Sequence, residues 1–453
     1  MFRIPARRYA AVLIAGAAMA ASVSLSGDTP PSVKFTDTRL KNGLRLIVSE
    51  DHTAPTFSIV VVYDVGSRDE RAGRTGFAHL FEHMMFKGSE NVGAGEHFYT
   101  VFSNGGSMNA TTSKERTLYY ETMPANQLEA AIFLEADRMK SLAITKDNLD
   151  NQRHAVQEER RLGIDNAPYG KTFEAIDNLA LDNPAYKHSV IGSMQDLDAA
   201  SVDDVATFFR TYYAPNNAIV AISGDVTTAN VLELARKYFV PIPRQPAPPA
   251  VDLKQAAQTT ERRLELDDPL ARVPRLDISY RIPSSLAPDD STIDVLTSIL
   301  GSGRSSRFYE VIVRQKQLAI NVGASESESR GPRLFRISAT PTPGKSIEDL
   351  EAAVYAEIER VKTGPIADWE IEKARNNAKR QFVSGLQSSL NRAVDLAEYA
   401  LVFNNPSEIN TRYLRLEKLN AADVQRVAKQ YLTAANRTVV VTTPKPAAGR
   451  GGL

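Results

Sequence analysis

Residues 128–140 read LEAAIFLEADRMK, and residues 350–362 read LEAAVYAEIERVK. Seven of the thirteen positions are identical, at a spacing of 222 residues. Both copies carry apolar residues at helical spacing, so each is an amphipathic helix that needs a surface to cover. The same spacing returns further along. Leu197-Asp198-Ala199-Ala200 leads to Val202 and Val205, and Leu419-Asn420-Ala421-Ala422 leads to Val424 and Val427. Two separated segments that share a spacing mark a duplicated chain rather than chance helix composition.

The chain has 453 residues, more than one hydrophobic core comfortably holds. Residues 241–250 read PIPRQPAPPA, with five prolines in ten positions, a stiff and extended composition. The expected organisation is a first domain over 31–240, a Pro-rich linker over 241–259, a homologous second domain over 260–444, and a disordered tail over 445–453. Strand patterns occur at 57–65, 117–123 and 218–223, and again at 276–281, 333–340 and 438–443. Helical periodicity occupies 126–141, 147–163 and 201–213, then 347–362, 368–386 and 421–432. Strands interspersed with long helices predict an α+β fold of two homologous domains, each a mainly antiparallel sheet with helices packed on one face.

The first half also holds the chemistry. His79-Leu80-Phe81-Glu82-His83 lies in a run, 76–86, that reads as helix. Histidines four residues apart share a helix face and can hold one metal together. Glu82 sits on the rim of that face, close enough to serve the site without being a ligand. This H-x-x-E-H order is the zinc-peptidase motif H-E-x-x-H reversed. A catalytic zinc usually takes three protein ligands, so a third is needed. Glu158 and Glu159, on the helix expected at 147–163, lie about 100° apart around it, so only one of them can face a metal.

Composition narrows the alternatives. Lys+Arg and Asp+Glu number 54 each, so no global charge draws the chain to nucleic acid or an anionic membrane. There is no cysteine, which excludes a thiolate zinc site, a Cys nucleophile and a lipoprotein anchor. All six histidines lie within the first 188 residues, so metal chemistry belongs to the first half. Residues 1–20 read as a signal peptide: Arg3, Arg7 and Arg8 precede an apolar run ending in Ala18-Met19-Ala20. The expectation is export to the periplasm or beyond, with no stable membrane insertion after cleavage. Arg7-Arg8 hints at a twin-arginine route. His97, in a Gly-rich stretch, is expected to be solvated, and His154 and His188 to be bystanders.

H-x-x-E-H, a Glu 76 residues beyond it, a duplicated α+β half and Gly105-Gly106-Ser107-Met108-Asn109-Ala110 between them resemble the pitrilysin/insulysin family of zinc peptidases, including the mitochondrial processing peptidase and its bacterial relatives. The resemblance covers nearly the whole chain after the signal segment. It implies a half-clamshell, one zinc per chain held by His79, His83 and Glu159 in preference to Glu158, and Glu82 as general base. It implies that Asn109 and Ala110 lie on an edge strand that pairs with a peptide substrate. Relatives often carry a Glu seven residues before the third ligand. Here that position is Gln152, which can orient a ligand by hydrogen bonding but adds no charge.

The second half has no histidine, and Gln381 stands where the spacing of 222 would place Glu159. In the family this domain contributes an Arg and a Tyr seven residues later to substrate binding. Arg314 matches the first, but Asn321 occupies the Tyr position. The resemblance therefore implies a zinc-bearing chain that pairs with a homologous subunit supplying the Arg/Tyr pair, with a homodimer as the alternative. The expected activity is a zinc metalloendopeptidase acting on peptides or short unfolded segments. The rival is a non-catalytic peptide-binding or assembly subunit, which would need a broken zinc set, and this sequence keeps all four residues.

Overall fold

The computed structural model describes residues 32–445. The expected signal segment and everything in the expected tail after Lys445 lie outside the described residues. The main elements of the first half are β1 (Thr36–Arg39), β2 (Arg45–Glu50), β3 (Thr56–Tyr63), α1 (Phe77–Met84), α2 (Glu96–Ser103), β4 (Ser107–Thr112), β5 (Thr117–Pro124), α3 (Leu128–Ser141), α4 (Lys146–Arg160), α5 (Gly170–Ala180), α6 (Val202–Tyr212), β6 (Ala218–Gly224) and α7 (Thr228–Tyr238). Those of the second are β7 (Arg262–Asp268), β8 (Arg275–Ile282), α8 (Asp290–Gly301), β9 (Ala319–Ser325), β10 (Arg333–Pro341), α9 (Ile347–Thr363), α10 (Asp368–Gly385), α11 (Ser389–Val402), α12 (Ala421–Tyr431) and β11 (Arg437–Pro444).

The fold is α+β, with two sheets of matching topology. The first runs β1-β2-β6-β3-β5-β4 and the second β7-β11-β8-β10-β9. Within each, one pair is parallel, β2 with β6 and β7 with β11, and every other pairing is antiparallel. The edge strands β4 and β9 are therefore counterparts. Residues 243–259 of the Pro-rich segment form neither helix nor strand. Ile242, at its start, is still buried in the first core.

Each half sends one helix to the other. α11 lies over β3 and β6 of the first sheet, and α5 lies over β8 and β11 of the second. Two hydroxyl pairs pin the exchange: Ser58 with Ser389 at 2.9 Å, and Thr172 with Thr442 at 2.8 Å. Each sheet thus has its own domain's helices on one face and a borrowed helix on the other. This explains why β3 reads TFSIVVVY with hardly a polar break. Phe57, Ile59, Val61 and Tyr63 enter the core of their own domain, while Val60 and Val62 meet Ala393, Leu396, Ala397 and Ala400 of α11. The second sheet treats its borrowed helix differently. β8 reads RLDISYRI, and its Asp277, Ser279 and Arg281 form a buried polar face. There Arg281 donates to the Ala180 carbonyl at the end of α5 and pairs with Asp182 at 2.9 Å.

The duplication is real, but one of its two registers needs correction. Arg153 on α4 donates to the carbonyls of Leu197 and Ala200, and Arg375 on α10 donates to those of Leu416 and Leu419. The two arginines are 222 apart, whereas their acceptors are 219 apart. Capping boxes Ser201/Asp204 and Asn420/Asp423 match at 219, as do Asn217 and Asn436, which each clasp a tyrosine carbonyl five residues back. The segment ahead of α12 is three residues shorter than its counterpart. A slip of three residues leaves the apolar face of an amphipathic helix nearly in place, which is why the sequence tolerates the false match.

Candidate metal centre

Helix α1 begins at Gly76, whose φ of +90° is costly for any residue with a Cβ. A Cβ there would also lie 2.5 Å from the Ile191 carbonyl oxygen. The buried Glu70 carboxylate accepts the N–H groups of Gly76 and Ala78, both at 2.9 Å, and so caps the helix start. Phe77, Leu80, Phe81 and Met84 point into the core, where Phe81 stacks on Phe208 and Tyr213. That apolar stripe turns His79 and His83 toward α4.

On α4, Thr145 caps the N-terminus, Arg153 ties the middle to the segment before α6, and Arg160 near the end pairs with Glu174 at 2.6 Å. Glu159 is presented between these anchors. Its Oε2 lies 3.5 Å from His79 Nε2 and 3.3 Å from His83 Nε2. Glu158 turns the other way and pairs with Arg161. The three donor atoms belong to one group compact enough for a single ion.

These spacings discriminate between an ion pair and a metal site. Charge-assisted N–H···O bonds close to about 2.7–2.9 Å. Donors at the corners of a tetrahedron about 2.0–2.1 Å from a zinc stand roughly 3.3–3.4 Å apart. Burial pushes His79 down to about 4, so its ring is neutral at pH 7 and offers a lone pair. The His83 ring beside Glu159 holds that carboxyl below the usual carboxylate range. Two imidazoles and one carboxylate converging at these distances fit zinc with an open fourth position.

Glu82 sits next to this cluster. Burial pushes its carboxyl up, opposed by the Thr112 hydroxyl, which donates to Oε2 at 2.5 Å. Thr112 ends β4, the edge strand that also carries Asn109 and Ala110. Only β5 pairs with β4 among the described residues. Asn109 is exposed, and its Oδ1 accepts the Ala110 N–H at 2.8 Å.

The other expected site residues make contacts of their own. Gln152 is buried on α4, but its amide donates to Asn151 at 2.6 Å rather than to a ligand. His79 Nδ1 has no hydrogen-bond partner among the described residues. Arg314 is exposed in a π-helical segment (Tyr309–Gln315) and paired with Glu310 at 3.0 Å. Asn321 is exposed on edge strand β9.

His97 is the clear correction. It is buried on α2, bonded to Glu121, with Glu135 close by. Burial pushes His97 down to about 3 and each of the two glutamates up to about 7. Although these three groups lie close enough for a metal, the Arg138 guanidinium already fills the cationic role. It is bonded twice to Glu135 and lies over Tyr119. Thr112 and Glu70 carry no local sequence signal, since their partners lie 30 and 6–8 residues away.

Comparison with known proteins identifies the family of the chain. Residues 45–192 match the family described as insulinase (peptidase family M16), and residues 199–378 match the peptidase M16 inactive domain. The zinc protease PqqE of Helicobacter pylori is 31% identical over 414 residues, covering 91% of this chain and 93% of that protein. A probable mitochondrial-processing peptidase subunit beta of Arabidopsis thaliana is 23% identical, covering 87% and 76%. A crystal structure of a protease from Helicobacter pylori superposes with a TM-score of 0.87 at 31% identity, covering 91% of this chain and 100% of that one. The periplasmic protease PqqL from Escherichia coli gives a TM-score of 0.76 at 18% identity, and the match spans 92% of this chain but 48% of PqqL. The chain belongs to the M16 (insulinase) peptidase family, and its relative PqqE is named a zinc protease.

Proposed function

We propose that this chain is a catalytically competent zinc metalloendopeptidase, exported from the cytoplasm, that hydrolyses peptides or short unfolded segments. The observation that carries the proposal is the convergence of His79, His83 and Glu159 at metal-ligand spacing, with Glu82 beside them and the open edge of β4 next to Glu82.

His79 Nε2, His83 Nε2 and Glu159 Oε2 would hold one zinc, which supplies Lewis acidity to polarise the scissile carbonyl and acidify a water. The β4 edge aligns the substrate as an added strand, and Asn109 gives up its hold on the Ala110 N–H to the incoming backbone. Glu82 takes the proton from the attacking water and returns it to the leaving amine. Burial raises its carboxyl above the usual carboxylate range, which makes it a stronger base toward the water.

Arg314 lacks a tyrosine seven residues on, and PqqL is about twice as long as the part this chain matches. Both support pairing with a homologous subunit that completes substrate binding, with a homodimer as the alternative. Among the described residues no helix is long and apolar enough to cross a membrane.

Metal analysis tests the site. Wild-type protein is expected to carry one zinc per chain, and His79→Ala/His83→Ala protein none. Stoichiometric zinc in that double variant would sink the assignment. Cell fractionation tests export, with cytosolic retention of the full chain as the contrary result.

A further inference from the structure

Glu82 has two carboxylate oxygens, and the fold holds one of them. Oε2 accepts the Thr112 hydroxyl at 2.5 Å. Oε1 accepts no hydrogen bond among the described residues. The Thr112 hydroxyl, in turn, donates to no other group, whereas its neighbour Thr111 is engaged by Arg116 at 2.6 Å.

Thr112 is itself held in place by the tip of the β4–β5 hairpin, residues 113–116, which is fastened on several sides. Ser113 and Lys114 carbonyls accept the N–H groups of Ser67 and Arg68 at 3.2 and 3.0 Å. Lys114 pairs with Asp177 on α5 at 2.7 Å. The buried Glu115 accepts the N–H groups of Arg330 and Gly331 and the Ser329 hydroxyl at 2.8–3.1 Å. Arg116 reaches Glu398 on α11 at 2.8 Å. The second half, without metal ligands of its own, thus grips the hairpin that carries Thr112.

We propose that Thr112 is the positioning residue for the general base. Its hydroxyl fixes the rotation of the Glu82 carboxylate, so that Oε1 is the oxygen left free to take the proton. The proposal rests on the peptidase reading. Freed of this bond, the carboxylate would sample several rotamers, and only a fraction would present an oxygen to the water.

Thr112→Val keeps the β-branched shape of the strand residue and removes the hydroxyl. Its kcat on a fluorogenic peptide is expected to fall roughly 10- to 100-fold, with KM, zinc content and Tm unchanged. Thr112→Ser, which restores a hydroxyl, is expected to recover most of the loss. A crystal structure of Thr112→Val is expected to show Glu82 displaced or in several rotamers. Wild-type kcat in Thr112→Val, or Glu82 unmoved in its crystal structure, would overturn the inference. A wild type that stays inactive even with a homologous subunit bearing the Arg/Tyr pair added, with Glu82 displaced in Thr112→Val, would sink the peptidase reading and leave only the hold of Thr112 on the Glu82 carboxylate.

Discussion

Arg330 of the second half closes on Glu115 of the first through both main chain and side chain. Its N–H reaches the two carboxylate oxygens at 3.0 and 2.9 Å, and its Nε lies 3.2 Å from Oε2. The same guanidinium pairs with Asp64 at 2.5 Å, and Arg68 approaches Glu115 at 3.3 Å. Arg330→Ala removes the guanidinium but leaves Arg68 and the main-chain N–H groups on Glu115, so the unfolding free energy from denaturant titration is expected to fall by about 1–3 kcal/mol, with a lower midpoint. An unchanged midpoint would show that the joint contributes nothing net.

Gly76 allows a second prediction. Gly76→Ala places a Cβ on a left-handed residue and against a carbonyl oxygen. The conformational part alone costs about 1–2 kcal/mol. The expected result is a lower Tm together with weaker zinc retention in a chelator titration, because the start of α1 must shift. Unchanged values for both would mean that the helix start adapts freely.

A pH effect follows from Asp395 on α11. Burial, reinforced by Glu398 and Glu328, pushes its carboxyl up to about 7 from the ordinary 3.8. The folded state then binds a proton that the unfolded state has released, so stability falls as pH rises from about 4 through about 7. Asp395→Asn removes this cost, and its advantage over wild type is expected to grow to about 2–4 kcal/mol by pH 8. Denaturation series at pH 5 and pH 8 read the difference. Parallel pH slopes for the two proteins would contradict it.

The partner proposal predicts that peptide turnover rises several-fold when a homologous subunit bearing the Arg/Tyr pair is added. Full turnover by the isolated chain, unaltered by that addition, would rule against it.

What was legible in the sequence follows the range of each interaction. The H-x-x-E-H helix is local, so its periodicity reveals which face carries the ligands. Glu159, far along the chain, was reachable only through a family resemblance, because periodicity alone leaves it level with Glu158. Thr112 and Glu70 act across folds of the chain and leave no trace in spacing. The helix exchange was hidden for a related reason: the apolar face of α11 shows that it covers something, but not which sheet. A partial sign was present in β3, where a nearly unbroken apolar run demands cover on both faces. His97 was misread because its Gly-rich flanks look like a loop, while the Glu121 that buries it lies 24 residues on.

The central claim is that Glu82 does chemistry at a zinc held by its neighbours. The most direct measurement is peptidase kinetics on Glu82→Gln with parallel metal analysis. The account predicts one zinc per chain, as in wild type, and a kcat reduced by roughly 10²–10⁴-fold. A Glu82→Gln protein that keeps its zinc and turns over peptide at the wild-type rate would contradict it.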